Sequence, residues 1–468
     1  MRSYGRFLRR SGIIPVLLIL TVFSVYGGEV RITPENFWAE AASWPDVFTV
    51  EQIISASLHA SGTPDPLSIY EKKYEALLNS FGGSDSFSGH DGDRILGWMY
   101  GNVLRSYDFN QTLMNVLIDP GTYNCVSSSI LYMMLARYSG LDTVMIEVPD
   151  HAFCSVKRGE EWVDVETTTP FGFDPGVKKE FTDDFKRTGF VYVPRGNYSL
   201  RKRLNDKESV ALILQNRMAS LQRKGRYGDV TGLAVDRWTF VKNEETFKDM
   251  REAFRNYAAV LNNEKRYLEA FNFITEVSSL YGMEDDNRYL FTGFANNYLL
   301  LLLDGDDIAG AEKFVEDNAD LFTPDEKKGF DRMVAVHVIQ SLLNRGTFDE
   351  GRDAVEDAFD SGTITEKERD NYLYYLIRRK AVEISETSGY WDSYVYLNGL
   401  PGNYGNMDSV KQLAAVMYRN WEITVHNLFV DYVKEKDFDS AEKVLKEGLK
   451  KSPGSGILLK DLKVLWQN

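Results

Sequence analysis

The spacing of apolar positions changes several times along the chain, and each change marks a segment. Residues 13–25 are an almost unbroken apolar run, preceded by Arg2, Arg6, Arg9 and Arg10 and followed by Gly27 and Gly28. A basic start, a short apolar stretch and small residues beyond it have the layout of a secretory signal. The run is shorter than the roughly twenty residues a bilayer span needs. Residues 1–28 are therefore expected to direct export to the periplasm or the extracellular space, and to anchor the chain only if they stay uncleaved. From about residue 32 to 120, apolar positions recur at helical intervals between polar loops, the most polar at 82–93. A compact stretch then reads helix, strand, strand, strand. CVSSSILYMMLARYSG (125–140) predicts a helix of about four turns stopped by Gly140. Alternating, β-branched runs at 143–148, 151–157 and 161–168 predict three strands, with Gly159 at the last turn.

From residue 205 onward the pattern is helical throughout, and it repeats. GRYGDVTGLAVDRW, KRYLEAFNFITEV, DDIAGAEKFVEDN, GTFDEGRDAVEDAF and KDFDSAEKVLKEGL share one frame, a polar turn followed by a small or short anchor residue. The anchors are Val230, Ala270, Ala311, Gly351 and Ala441. The first four recur about every 40 residues, and a longer gap precedes the last. A small anchor lets the second helix of a pair approach the first closely, and pairs at this period bury their faces by stacking. The gap has room for one degenerate unit around GYWDSYVYLNGLPGNYGN. The expected organisation is an α+β core at 29–204, with a helix packed on antiparallel strands, followed by an all-α helical-repeat solenoid at 205–468.

Composition narrows the chemistry. The 69 acidic and 54 basic residues leave a formal charge of -15, which argues against a general nucleic-acid binder. Two cysteines are too few for a disulfide framework or a four-cysteine zinc site. His59, His90, His151, His337 and His426 are scattered without metal-ligand spacing, so neither a metal nor a cofactor is expected. After the first 28 residues no integral membrane span is expected either.

Three chemical groups nevertheless fall close together in sequence: Cys125 at a helix start, His151 opening a strand, and Asp164 or Glu166 on the hairpin partner. Thiol catalysis needs a thiolate, a base beside it and an acceptor that orients the base. A helix N-terminus favours the thiolate, and histidine titrates near neutrality. Cys125 is expected to be a reduced, partly accessible thiol of lowered pKa. Pairing Lys157 with Trp162 across the turn sets Ser155 opposite Asp164 and Phe153 opposite Glu166. Glu166 then lies diagonal to His151 and Asp164 one pleat further, so Glu166 is the expected orienting acid and Asp164 the alternative. Cys154 points to the other face and reads as a core residue; a disulfide with Cys125 is the competing reading.

These residues, in YNCVSSS, DHAFCSV and WVDVETT, resemble the transglutaminase-like core of the papain-type superfamily over about residues 107–169. Family members usually carry aspartate four residues after the tryptophan and threonine two further on; Glu166 and Thr168 stand at those positions after Trp162. The resemblance implies thiol-dependent hydrolysis of amide bonds, or acyl transfer to an amine. It also implies an oxyanion hole that includes the Cys125 amide, with Tyr123 and Asn124 nearby. EKDFDSAEKVLKEGLKKSP resembles a tetratricopeptide repeat, and the other units resemble that family more loosely. The expected partners are a protein or peptide substrate, cell-wall-derived peptides among them, and a protein on the repeats. The alternative is a non-catalytic interaction protein built on a degenerate core.

Overall fold

The computed structural model describes residues 30–82, 92–174, 199–345 and 347–467. The export segment expected at 1–28 and His90 lie outside them. The chain divides into two compact units, Met1–Asn287 and Arg288–Asn468.

Among the described residues of the first unit, five α-helices precede a central one: α1 (Asn36–Ala41), α2 (Val50–Ala60), α3 (Ser68–Phe81), α4 (Gly92–Asn102) and α5 (Met114–Ile118). The central helix is α6 (Cys125–Tyr138), whose residues 125–136 are all buried. A helix apolar on every side belongs inside, and the serines on α6 find hydrogen-bond partners there. A two-residue parallel pair, β1 (Ser106–Tyr107) and β2 (Thr122–Tyr123), sets Tyr107 beside Tyr123, just ahead of Cys125. Then follow β3 (Thr143–Val148), β4 (His151–Arg158), β5 (Glu161–Val165) and β6 (Lys202–Leu204), all antiparallel, in the order β5-β4-β3-β6. α6 packs on β3 and β4.

The β4–β5 register pairs Lys157 with Trp162 and Ser155 with Asp164, as the alternation predicts. The last strand is shorter than the expected 161–168. It ends at Val165 because residues 166–169 leave the ladder and bond to α6 and to one another. β6 was not foreseen; a three-residue strand gives no readable alternation.

The helix-only stretch begins, as expected, at residue 206. Its first helices, Asp206–Arg223, Tyr227–Phe240, Glu244–Asn263 and Tyr267–Tyr281, belong to the first unit. Buried Asp206 ties them in: it accepts the Phe48 N–H at 2.6 Å and a paired contact from Arg137 of α6, Nη2 to Oδ1 at 2.7 Å. Asp236 holds Arg31 (Nη1 to Oδ1 2.7 Å) and the Glu35 N–H at 3.0 Å.

Within each unit the repeat is visible in the turns. Gly225 and Lys265 in the first unit, and Asp306 and Lys436 in the second, all have φ between 61° and 72°. The N–H of the following residue reaches back five positions, Arg226 to Leu221, Arg266 to Leu261, Asp307 to Leu302 and Asp437 to Tyr432, at 2.9–3.0 Å. That is the Schellman ending, with a left-handed residue closing one helix before the next begins. Val230 and Ala270 are fully buried in the first unit, as are Ala311 and Ala441 in the second, where Gly351 is buried too. The gap before the last repeat holds the helices Glu366–Thr387, Tyr390–Asn398 and Asp408–Lys434. Among the described residues no helix is long and apolar enough to cross a membrane.

Candidate active site

Cys125 is the first residue of α6. Asn124 caps that helix: its side-chain oxygen accepts the N–H groups of Val126 and Ser127 at 3.0 Å, and its own N–H donates to Ser127 Oγ at 3.0 Å. The cap does not engage the N–H of Cys125. The asparagine side chain also donates to the carbonyl of Phe109 at 3.3 Å, so the loop ahead of the helix is held against it.

His151 opens β4 behind the two-residue link Pro149–Asp150, in which Asp150 takes the left-handed conformation at φ 63°. Its Nε2 donates to Glu166 Oε2 at 2.7 Å, with both side chains almost wholly buried. The other Glu166 oxygen accepts the Thr168 N–H at 3.0 Å and its hydroxyl at 2.7 Å. Every bond on that carboxylate thus aims it at the ring or fixes its rotamer. Nδ1 of His151 is buried without a formed hydrogen bond, and the Cys125 thiol is a neighbour acting on the ring. Burial opposes the imidazolium, but the charge of Glu166 and interaction with Cys125 outweigh it. Together they push the His151 pKa from its ordinary 6.5 up to about 10.

Asp164 is elsewhere. It accepts a two-pronged contact from Arg201 at 2.8 and 3.1 Å, so the structure gathers Cys125, His151 and Glu166 and leaves the second acid in another pair. Cys154 is fully buried, donates to the Ser129 carbonyl at 3.2 Å, and is held far above ordinary thiol pKa by burial. The two cysteines form no disulfide. Cys125 is only 7% exposed, more enclosed than the partly accessible thiol expected. It still lines a cleft of about 270 Å³ together with His151, Asn124, Glu147, Asp150 and Arg223. His59 bonds the Ser55 carbonyl and His426 pairs with Asp461, both away from this cluster.

Sequence reasoning missed the supports. Thr167 Oγ1 bonds Ser128 and Ser129 of α6 at 2.8 and 2.9 Å, which latches the segment bearing Glu166 onto the helix bearing Cys125. Two runs of three hydroxyl residues, Ser127–Ser129 and Thr167–Thr169, were the readable sign of it. Gly172 accepts the Glu166 N–H at 2.9 Å, and a Cβ at that position would overlap the Glu166 carbonyl. Of the two nearby residues weighed for the oxyanion hole, Asn124 is engaged as a cap and Tyr123 donates to Tyr100 Oη at 3.1 Å. The Tyr107 hydroxyl, by contrast, is buried with no partner, and burial and then the nearby Cys125 and Glu166 charges raise its pKa. No family model matches the chain, and neither a curated protein nor a solved structure matches it.

Proposed function

We propose that Cys125, His151 and Glu166 form the site of an exported transglutaminase-like cysteine hydrolase or acyltransferase acting on amide bonds. The observation that carries this reading is the 2.7 Å bond that fixes His151 to buried Glu166, with Cys125, at a helix start, a neighbour acting on the ring. An imidazolium and a helix N-terminus both favour the thiolate. In the proposed reaction the thiolate attacks the amide carbonyl carbon, and negative charge moves to its oxygen, where the Cys125 N–H donates. The C–N bond then breaks as His151 gives its proton to the departing nitrogen. A thioester remains. Water or a second amine attacks it while neutral His151 takes the proton, and the thiolate leaves. Glu166 keeps the ring oriented and its charge balanced in both halves.

The substrate class proposed is a protein or peptide, with a further protein recruited by the helical repeats. Export rests on residues 1–28 and is proposed with it. A non-catalytic interaction protein is the second reading. It is supported by an open groove of about 660 Å³ in the second unit, floored by Val315, Val334 and Ala354 and edged by Glu312, Glu316 and Asp357.

Thiol alkylation separates the two readings. The enzyme reading expects Cys125 to react with iodoacetamide near pH 7 at least about tenfold faster than an unperturbed thiol. Labelling should vanish in Cys125→Ala. Glu166→Gln should slow it by about tenfold or more, and Asp164→Asn should change it little. An ordinary rate with no response to Glu166→Gln hands the protein to the second reading.

A further inference from the structure

The cleft at Cys125 has a wall that does not come from the α+β core. The helix Asp206–Arg223 turns one face to it through Leu212, Gln215, Asn216, Ala219 and Arg223, spaced as one side of a helix requires. Arg223 is exposed, and its hydrogen bond is to the neutral Asn110 side chain, Nη2 to Oδ1 at 3.2 Å. No carboxylate among the described residues pairs with it. Several arginines of the first unit pair with carboxylates, Arg31 with Asp236, Arg137 with Asp206, Arg201 with Asp164, Arg237 with Asp249 and Arg266 with Glu269, while Arg217 and Arg255 bond carbonyl or amide oxygens instead. Arg223 differs from these in its place: it is the one arginine among the described residues that line this cleft.

Its place in the cleft is fixed by contacts. Arg223 bonds Asn110, which follows Phe109; the Phe109 carbonyl accepts from Asn124; and Asn124 precedes Cys125. The guanidinium therefore stands on the nucleophile's side of the cleft. The carboxylates of the cleft, Glu147 and Asp150, come from β3 and from the link before His151. Guanidinium presents a planar fork of donors that matches a carboxylate.

We propose that Arg223 binds a carboxylate of the acyl donor, so the substrate is an acidic peptide whose anionic group lies on the thiol side. Asn110 then acts as a neutral rest for the guanidinium. The inference builds on the thiol reading above and deepens it to a substrate class.

The probe is a series of N-iodoacetyl ω-amino acids, from glycine to 6-aminohexanoate, each compared with its carboxamide. At one chain length the carboxylate should alkylate Cys125 about three- to tenfold faster than the amide, and the advantage should fall as salt is raised. Arg223→Gln should abolish that advantage, read as the ratio of carboxylate to carboxamide rate within the same variant, whereas Arg223→Lys should keep part of it. Lys224→Gln removes the same charge one residue away, outside this cleft, and should keep it all. An advantage that survives Arg223→Gln, or is lost equally in Lys224→Gln, overturns the proposal, as does no advantage at any length. The N-acetyl counterparts, titrated into Cys125→Ala by calorimetry, read the anchor without a reactive thiol. Carboxylate-selective binding there beside a sluggish wild-type thiol would sink the enzyme reading and uphold the anchor; no selective binding would sink the anchor alone.

Discussion

At the scale of single residues, the site is a problem of holding charge inside protein. His151 is buried, and burial by itself would strip its proton; the charge of Glu166 reverses that and lifts the pKa to about 10. A base whose folded pKa lies above its ordinary 6.5 binds its proton more tightly when folded. Its contribution to stability is then fully present below about pH 6.5, shrinks as pH rises, and is gone beyond about pH 10. Melting temperatures of wild type and His151→Gln, taken from pH 6 to 10.5, should draw together across that window. A gap that is constant or widens with pH would show that Glu166 does not hold the imidazolium. Gly172 controls the same acid from behind. Gly172→Ala puts a methyl group into the Glu166 carbonyl and should force that segment to shift. We expect it to slow Cys125 alkylation nearly as much as Glu166→Gln does, with Phe171→Ala, whose side chain is exposed, as a neighbour of little effect. Glu166 was legible before the fold was known, because a hairpin of period two with a glycine turn admits few registers. The latch from Thr167 to α6 and the role of Gly172 were not, because both depend on where a loop goes after its strand ends.

At the scale of elements, the repeating turn is the clearest case of local chemistry set by position. Gly225 accepts the left-handed conformation without penalty, but Lys265, Asp306 and Lys436 adopt it with a Cβ. Lys436→Gly should therefore stabilise the last helix pair by about 0.5–1 kcal/mol, despite glycine's greater freedom in the unfolded chain. The measurement is urea unfolding. Gly225→Ala should move the other way by about 1 kcal/mol. A loss of stability in Lys436→Gly would mean the lysine side chain is worth more to the turn than its strain costs. The period was readable because the first four anchors sit about 40 residues apart, each in the second helix of a pair; their burial explains why they are short. What the sequence concealed is that the turns ahead of Val230, Ala270, Ala311 and Ala441 share one backbone geometry. Among the described residues, the turns at Lys265, Asp306 and Lys436 lack the glycine that ordinarily advertises such an ending.

At the scale of the whole molecule, composition and periodicity place a boundary near residue 205, where strands give way to helices, yet compactness places it after Asn287. Aromatic packing of Trp38 and Phe48 on Phe240 joins one kind of segment to the other, and so do a small number of buried charged residues. Asp206, the first residue of its helix, serves Phe48 and Arg137 together, and Asp236 serves Arg31 and Glu35. Such pairings leave no periodic trace, because a single aspartate at a helix start reads as an ordinary N-terminal charge. Removing one partner strands the other in a buried place, which costs about 3–5 kcal/mol. Asp206→Ala should therefore destabilise the first unit by that amount and, through Arg137 on α6, loosen the protection of Cys125 and Cys154 against thiol reagents. Ala441→Phe instead overpacks the cluster around Trp421, Leu445 and Leu458 in the second unit, at a cost of about 1–3 kcal/mol. Calorimetry should resolve two transitions, with Asp206→Ala lowering the one accompanied by cysteine exposure and Ala441→Phe lowering the other. In the double variant each shift should match its single-variant value to within about 0.5 kcal/mol. One merged transition, moved by both substitutions and exposing the thiols throughout, would instead mean that residues 205–287 weld the whole chain into a single cooperative body.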